Sequence, residues 1–234
     1  MKKSYTIFAG IMAVMLSTNS FAQSTAVSPD TKTAAKSKSD PDVKAATFVA
    51  ALNLTDTAKA SRVKAIILTH LTAVRDWHNS HDYTLVPEGL NPITGKVFTK
   101  PDRQFIIDST IPQTVHANLM AGLHKELTDD QIEVILDKYT VGKVAFTMNG
   151  YKAIVPNLTP TEEGVLLTNL KAAREQAVDY KNVEEISNVF KIYKTKIEDY
   201  FISNGRNWKV MYKTYVDQVL AKKAADKSAE PAAN

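Results

Sequence analysis

Apolar residues recur at three- and four-residue steps along most of the chain and nowhere alternate convincingly with polar ones, a pattern that predicts helices rather than a sheet. Asp40-Pro41 reads as an N-cap followed by a proline in the first turn, opening a short helix through Phe48 and Leu52. A long helix starts at Thr55 or Asp56 and places Val63, Ile66, Ile67, His70, Val74, Trp77, His78 and His81 along one broad face. Residues 82–112 break the period with Pro87, Gly89, Pro92, Gly95, Pro101 and Pro112. A connection that long, carrying Val97, Phe98, Phe105, Ile106 and Ile107, is expected to be packed down. Helical spacing resumes near Gln113 with His116, Leu119, Met120 and Leu123, and Thr128 followed by Gln131 caps the next helix. Gly142 and Gly150 bracket a stretch that bends or breaks a helix, and Pro156 to Pro160 is a stop and restart. Later helices carry Leu166, Leu170, Ala173 and Ala177, then Ile186 through Phe201 up to a cap at Asn204-Gly205, and finally Trp208, Met211, Tyr215 and Val219. The expectation is an all-α, single-domain bundle of roughly seven helices over residues 41–221, with one long packed loop.

The ends change the picture from fold to address. Lys2 and Lys3, the apolar run Ile7 to Leu16 and the small-x-small site Ser20-Phe21-Ala22 read as a signal peptide over 1–22, too short in its apolar part to span a bilayer. The mature protein would begin at Gln23, in the periplasm or outside the cell, with 23–40 a flexible spacer and 222–234 a disordered tail. No cysteine occurs in the 234 residues, which excludes a disulfide framework, thiol chemistry and a lipid-modified anchor. No later segment reads as a membrane span. The sequence pI is near 9.0, yet the net charge of +4 falls to +2 once Lys2 and Lys3 are cleaved off. Such a weak field argues against nucleic acid and anionic lipid as partners.

Leu127-Thr128, Gln131, Asp137, Thr140 and Gly142, then Tyr151, Pro156-Asn157-Leu158-Thr159, Ala173-Arg174-Glu175-Gln176-Ala177, Tyr193-Lys194, Lys196-Ile197, Tyr200 and Gly205 carry a resemblance that extends from about Leu52 to Tyr212. In these residues the chain resembles domain-of-unknown-function family 3826, a group of exported bacterial proteins described as sugar-binding and found among polysaccharide-utilisation genes. The resemblance implies an oligosaccharide or polysaccharide partner. A different likeness, of Leu127-Thr128-x-x-Gln131 and Leu158-Thr159-x-x-Glu162 to the repeated motif of the Spy and CpxP proteins, implies a helical periplasmic chaperone; both stretches also read as capping boxes.

Sugars are held by aromatic faces flanked by carboxylates, amides and guanidinium groups. Arg75, Asp76, Trp77, His78, Asn79 and His81 bring those types together where the long helix meets the loop, and Trp208 with Asn204, Arg206 and Asn207 is a second such group. The loop 82–112 is expected to fold over the end of the long helix, so that Arg103 and His116 join Arg75, Asp76, Trp77, His78 and His81 in a ligand-binding seam. His78 and His81, with His116 or His124 and a carboxylate from Asp76, Asp82 or Asp108, have a weak metal-like spacing, and no metal or cofactor is assigned. Asp137, Glu175 and Asp179 are the acids available for glycoside chemistry, but no nucleophile elbow or phosphate loop accompanies them, and no catalytic residue is assigned. The sequence reading is therefore a non-catalytic carbohydrate-binding or accessory protein, monomeric or weakly dimeric, with a chaperone and a glycan-acting enzyme as alternatives.

Overall fold

The computed structural model describes residues 40–92 and 94–229. The expected signal peptide, the spacer up to Ser39 and the last residues of the expected tail lie outside the described residues. Among the described residues the chain forms nine α-helices and no strand: α1 Pro41–Ala50, α2 Thr57–Ser80, α3 Lys100–Asp108, α4 Gln113–Glu126, α5 Asp129–Tyr139, α6 Lys143–Ile154, α7 Pro160–Ala177, α8 Val183–Ser203 and α9 Trp208–Ala229. A 3-10 turn at Tyr83–Leu85 and a lone antiparallel bridge between Leu90 and Val97 interrupt the helices. No described helix is long and apolar enough to cross a membrane.

Side-chain caps start most of these helices by satisfying amides that have no partner inside the helix. Asp40 accepts from the Asp42 amide at 2.8 Å and Asp56 from that of Lys59 at 3.0 Å. Thr99 with Asp102, Thr128 with Gln131 and Thr159 with Glu162 form reciprocal capping boxes. Helix α8 stops where Gly205 takes φ 81° and the Arg206 amide reaches the Phe201 carbonyl at 2.9 Å, an ending that a residue with a Cβ adopts only under strain.

Two buried clusters hold the helices together. Ala45 of α1, Val63 and Ile67 of α2, Leu119 and Leu123 of α4, and Ile132 and Ile135 of α5 make the first. Val144 and Tyr151 of α6, Leu166 and Leu170 of α7, Val189 and Ile197 of α8, and Trp208 make the second. Each fully buried aliphatic side chain contributes about 1.5–3 kcal/mol relative to exposure. Helix α7 and the turn after it serve both: Ala177 and Tyr180 belong to the second cluster, whereas Val178 belongs to the first. Gly122 lets α4 approach α2 closely, since a Cβ there would lie 2.9 Å from Ile66 Cγ2.

Nine helices replace the expected seven or so for two reasons. Residues 82–112 are not one loop, because the Thr99 capping box starts α3 with Pro101 in its first turn, where a missing amide hydrogen costs nothing. The stretch from Thr128 to Ile154 is two helices, split where Val141 and Gly142 both take left-handed φ, 50° and 68°. What packs down in 82–112 is α3: Phe105 stacks on Tyr180 with centroids 5.0 Å apart. The segment before it stays open, with Leu85, Leu90 and Val97 exposed, because the Leu90–Val97 bridge closes on itself and lays no side chains into either cluster. At the other end α9 continues to Ala229, past the Lys222 at which a tail was expected.

Candidate functional site

A cleft of about 550 Å³ opens between the end of α7 and the first turns of α4. One wall is the row Ala172, Glu175, Gln176 and Asp179, spaced i, i+3, i+4 and i+7 so that all four share one face of α7 and its continuation. Gln113, His116 and Ala117 from the first turns of α4 form the facing wall, and Asp108, Ser109, Ile111 and Tyr180 complete the lining. The lining therefore mixes polar and apolar side chains.

Asp179 organises the floor. Its Oδ2 lies 3.0 Å from His116 Nδ1 as an ion pair, and its Oδ1 lies 2.9 Å from Nε2 of the buried His70. Burial works to raise the Asp179 carboxyl, but the two imidazoles outweigh it and hold the group below the usual carboxylate range. His116 is raised, first by Asp179 and then by the more distant Glu175 at 3.6 Å, against the opposing effect of burial. His70 donates through Nε2 to the carboxylate, and among the described residues neither its Nδ1 nor the neighbouring Tyr139 hydroxyl has a partner. Burial, with Asp179 nearby, pushes that phenol well above its ordinary value.

A second group of charges lies behind the Asp108 edge of the cleft. His78 Nδ1, near the end of α2, is 2.7 Å from Asp108 Oδ2 and 3.6 Å from Glu185 Oε1 in the first turn of α8. Gln104, one turn before Asp108 on α3, donates to both oxygens of that carboxylate at 3.0 and 3.1 Å and to the His81 carbonyl at 2.9 Å. Burial and then the Asp108 charge raise the Glu185 carboxyl.

The expected seam is divided by the structure. His116 alone of its residues lines the cleft, and His78 meets it through Asp108. Arg75 and Asp76 pair with each other at 2.8 Å on an exposed part of α2. Trp77 stacks against His81 with centroids 3.6 Å apart, which covers one aromatic face, while His81 Nδ1 lies 2.9 Å from the Trp77 carbonyl. Arg103 does not join them: it is buried under the turn before α3, donating to the Val86 carbonyl at 2.8 Å and to Glu88 at 3.1 Å, with its guanidinium 5.3 Å from the Tyr83 ring centroid. Trp208 is core, flanked by Tyr151 and by Phe201, to which it lies nearly parallel. Nearby Arg206 is occupied with Glu162 at 2.8 Å and with the Pro156 and Asn157 carbonyls, and holds the Glu162 carboxyl down at about 2.

Asp137 also leaves the expected acid group. Buried Arg174 binds it at 2.7 Å and Glu133 at 2.6 Å, tying α7 to α5, so that only Glu175 and Asp179 of the three acids line the cleft. Gln113, Tyr180 and Glu185 carried no site signal in the sequence, and Gln176 stood there only within the family resemblance. Glu185 was disguised, since Asn182-x-x-Glu185 is the spacing of a cap, and Asn182 does accept from the Glu185 amide at 2.9 Å.

A family model described as "Protein of unknown function (DUF3826)" matches residues 39–221. No curated protein matches the chain.

Proposed function

The chain belongs to the DUF3826 family, and from that premise we propose that it is an exported, non-catalytic carbohydrate-binding protein that serves polysaccharide use. The cleft between α4 and α7 supports this reading. Glu175, Gln176 and Asp179 on one side and Gln113 and His116 on the other offer donors and acceptors, with Ala117, Ala172 and Ile111 as apolar surface among them. Sugar hydroxyls need the first and sugar C–H faces the second. Binding of this kind requires no nucleophile. The capping boxes at Thr128 and Thr159 account for both Leu-Thr motifs, which leaves the chaperone alternative without a feature of its own.

Calorimetric titration of the mature chain with pectic, xylan and mannan oligosaccharides tests the proposal. Glu175 and Gln176 are exposed, so Glu175→Gln and Gln176→Ala should each weaken binding by about tenfold with an unchanged Tm. No heat from any panel would overturn the reading, and suppression of client aggregation by the same protein would install the chaperone in its place. Release of reducing sugar would promote the enzyme alternative, for which His116, paired with the half-buried Asp179, is the group in position to move a proton. N-terminal sequencing of the exported protein should begin at Gln23, and an intact Met1 there would remove the signal peptide.

A further inference from the structure

We propose that His78, Asp108 and Glu185 form a binding site for one first-row divalent transition-metal ion, of the Zn²⁺ or Mn²⁺ type. One ligand atom from each of the three lies within 4.8 Å of the others. They arrive from the end of α2, the end of α3 and the first turn of α8, so the chain must be folded for the set to exist. Ligand atoms around a four-coordinate zinc ion, with bonds of about 2.1 Å, stand roughly 3.4 Å apart. The separations of 2.7 and 3.6 Å from His78 Nδ1 to the two carboxylates bracket that value.

Two further observations point to a cation at this place. Glu185 is only 6% exposed, and its Oε2 has no hydrogen-bond partner among the described residues. A buried acceptor left bare costs about 1–3 kcal/mol, more when charged. Two buried carboxylates also share a single imidazole, an arrangement in which ionised carboxylates are costly to keep without a cation beside them. A divalent ion supplies that cation, and bidentate binding by Glu185 also gives Oε2 a partner. One imidazole and two carboxylates suit zinc or manganese better than the all-oxygen sets of calcium and magnesium. The Gln104 amide, bridging both Asp108 oxygens, orients that carboxylate as outer partners of metal ligands do. Asp108 also lines the cleft, which gives the ion an entry path, and three protein ligands leave a coordination position for water. The site does not depend on the carbohydrate reading, and its test uses no sugar.

The full mature chain, stripped with a chelator and dialysed, is titrated with Zn²⁺ and with Mn²⁺ separately, and metal retained after desalting is measured. One ion per chain and a Tm that rises with metal are expected. Glu185→Gln and His78→Gln should each cut affinity by more than about tenfold, whereas His116→Gln, at the other imidazole of the cleft, should leave it unchanged. Absence of retained metal overturns the proposal, as does retention that survives both ligand substitutions or is lost with His116→Gln. Should either ligand variant fail to fold, X-ray absorption at the zinc edge of the unsubstituted protein decides: one imidazole with oxygen ligands supports the site, and two imidazoles or none refute it.

Discussion

Val141 holds φ at 50° while 62% exposed, so a β-branched side chain bears the cost of a left-handed backbone and recovers little from packing. That conformation costs about 1–3 kcal/mol for such a residue, and asparagine adopts it readily. Val141→Asn should therefore raise Tm by a few degrees in calorimetry, and an unchanged or lower Tm would show that the turn is relaxed. Glu198 gives a different residue-level outcome. Burial first, and then the Asp199 charge, raise its carboxyl to about 7. Between its ordinary value and 7 the folded protein keeps a proton that the unfolded chain has released, so stability declines as pH rises through that window. Glu198→Gln should flatten the decline and stabilise the protein at pH 8 by about 1–2 kcal/mol, reduced because solvent still reaches the group.

At the scale of elements, the pair between α4 and the end of α7 has a pH signature of its own. His116 is raised in the folded state, so its contribution is complete below the ordinary histidine value and fades as pH climbs through the folded one. Asp179 is lowered, so its contribution is present above the ordinary aspartate value and fades as pH falls through the folded one. The pair thus stabilises most between about pH 4 and 6.5, and His116→Gln should remove part of the loss of Tm seen between pH 5.5 and 8. Helix α3 depends on its cap: Thr99→Ala should cost about 1 kcal/mol and speed amide exchange over residues 100–108. The same element shows what the sequence made legible. Thr128-x-x-Gln131 and Thr159-x-x-Glu162 were read as helix starts, because a cap is written in four adjacent residues. Thr99-x-x-Asp102 is the same device, hidden by Pro101 and by the turn residues before it. Arg103 looked like a ligand group because its type is right for one, and only the fold shows it spent on the Val86 carbonyl.

For the whole molecule, helical class and most helix starts were legible because they rest on period and local chemistry. The cleft was not, since Asp108, His116 and Glu175 come from three helices whose pairing leaves no mark within any one of them. Trp77 and Trp208 drew attention as aromatic platforms, and the structure gives one a histidine cover and the other a place in the core. The passage of the chain from one cluster to the other where α7 ends, between Ala177 and Val178, has a consequence for how the protein breathes. Helices α1, α2, α4 and α5 bury their apolar faces mainly against one another, and α6 to α9 do the same, so each group has the makings of a separate opening unit. In native-state exchange the amides of Leu123 and Ile135 should report one opening free energy and those of Val189 and Ile197 another. A molecule lodged across α4 and α7 touches both units at once, and it should draw the two values together by raising the lower.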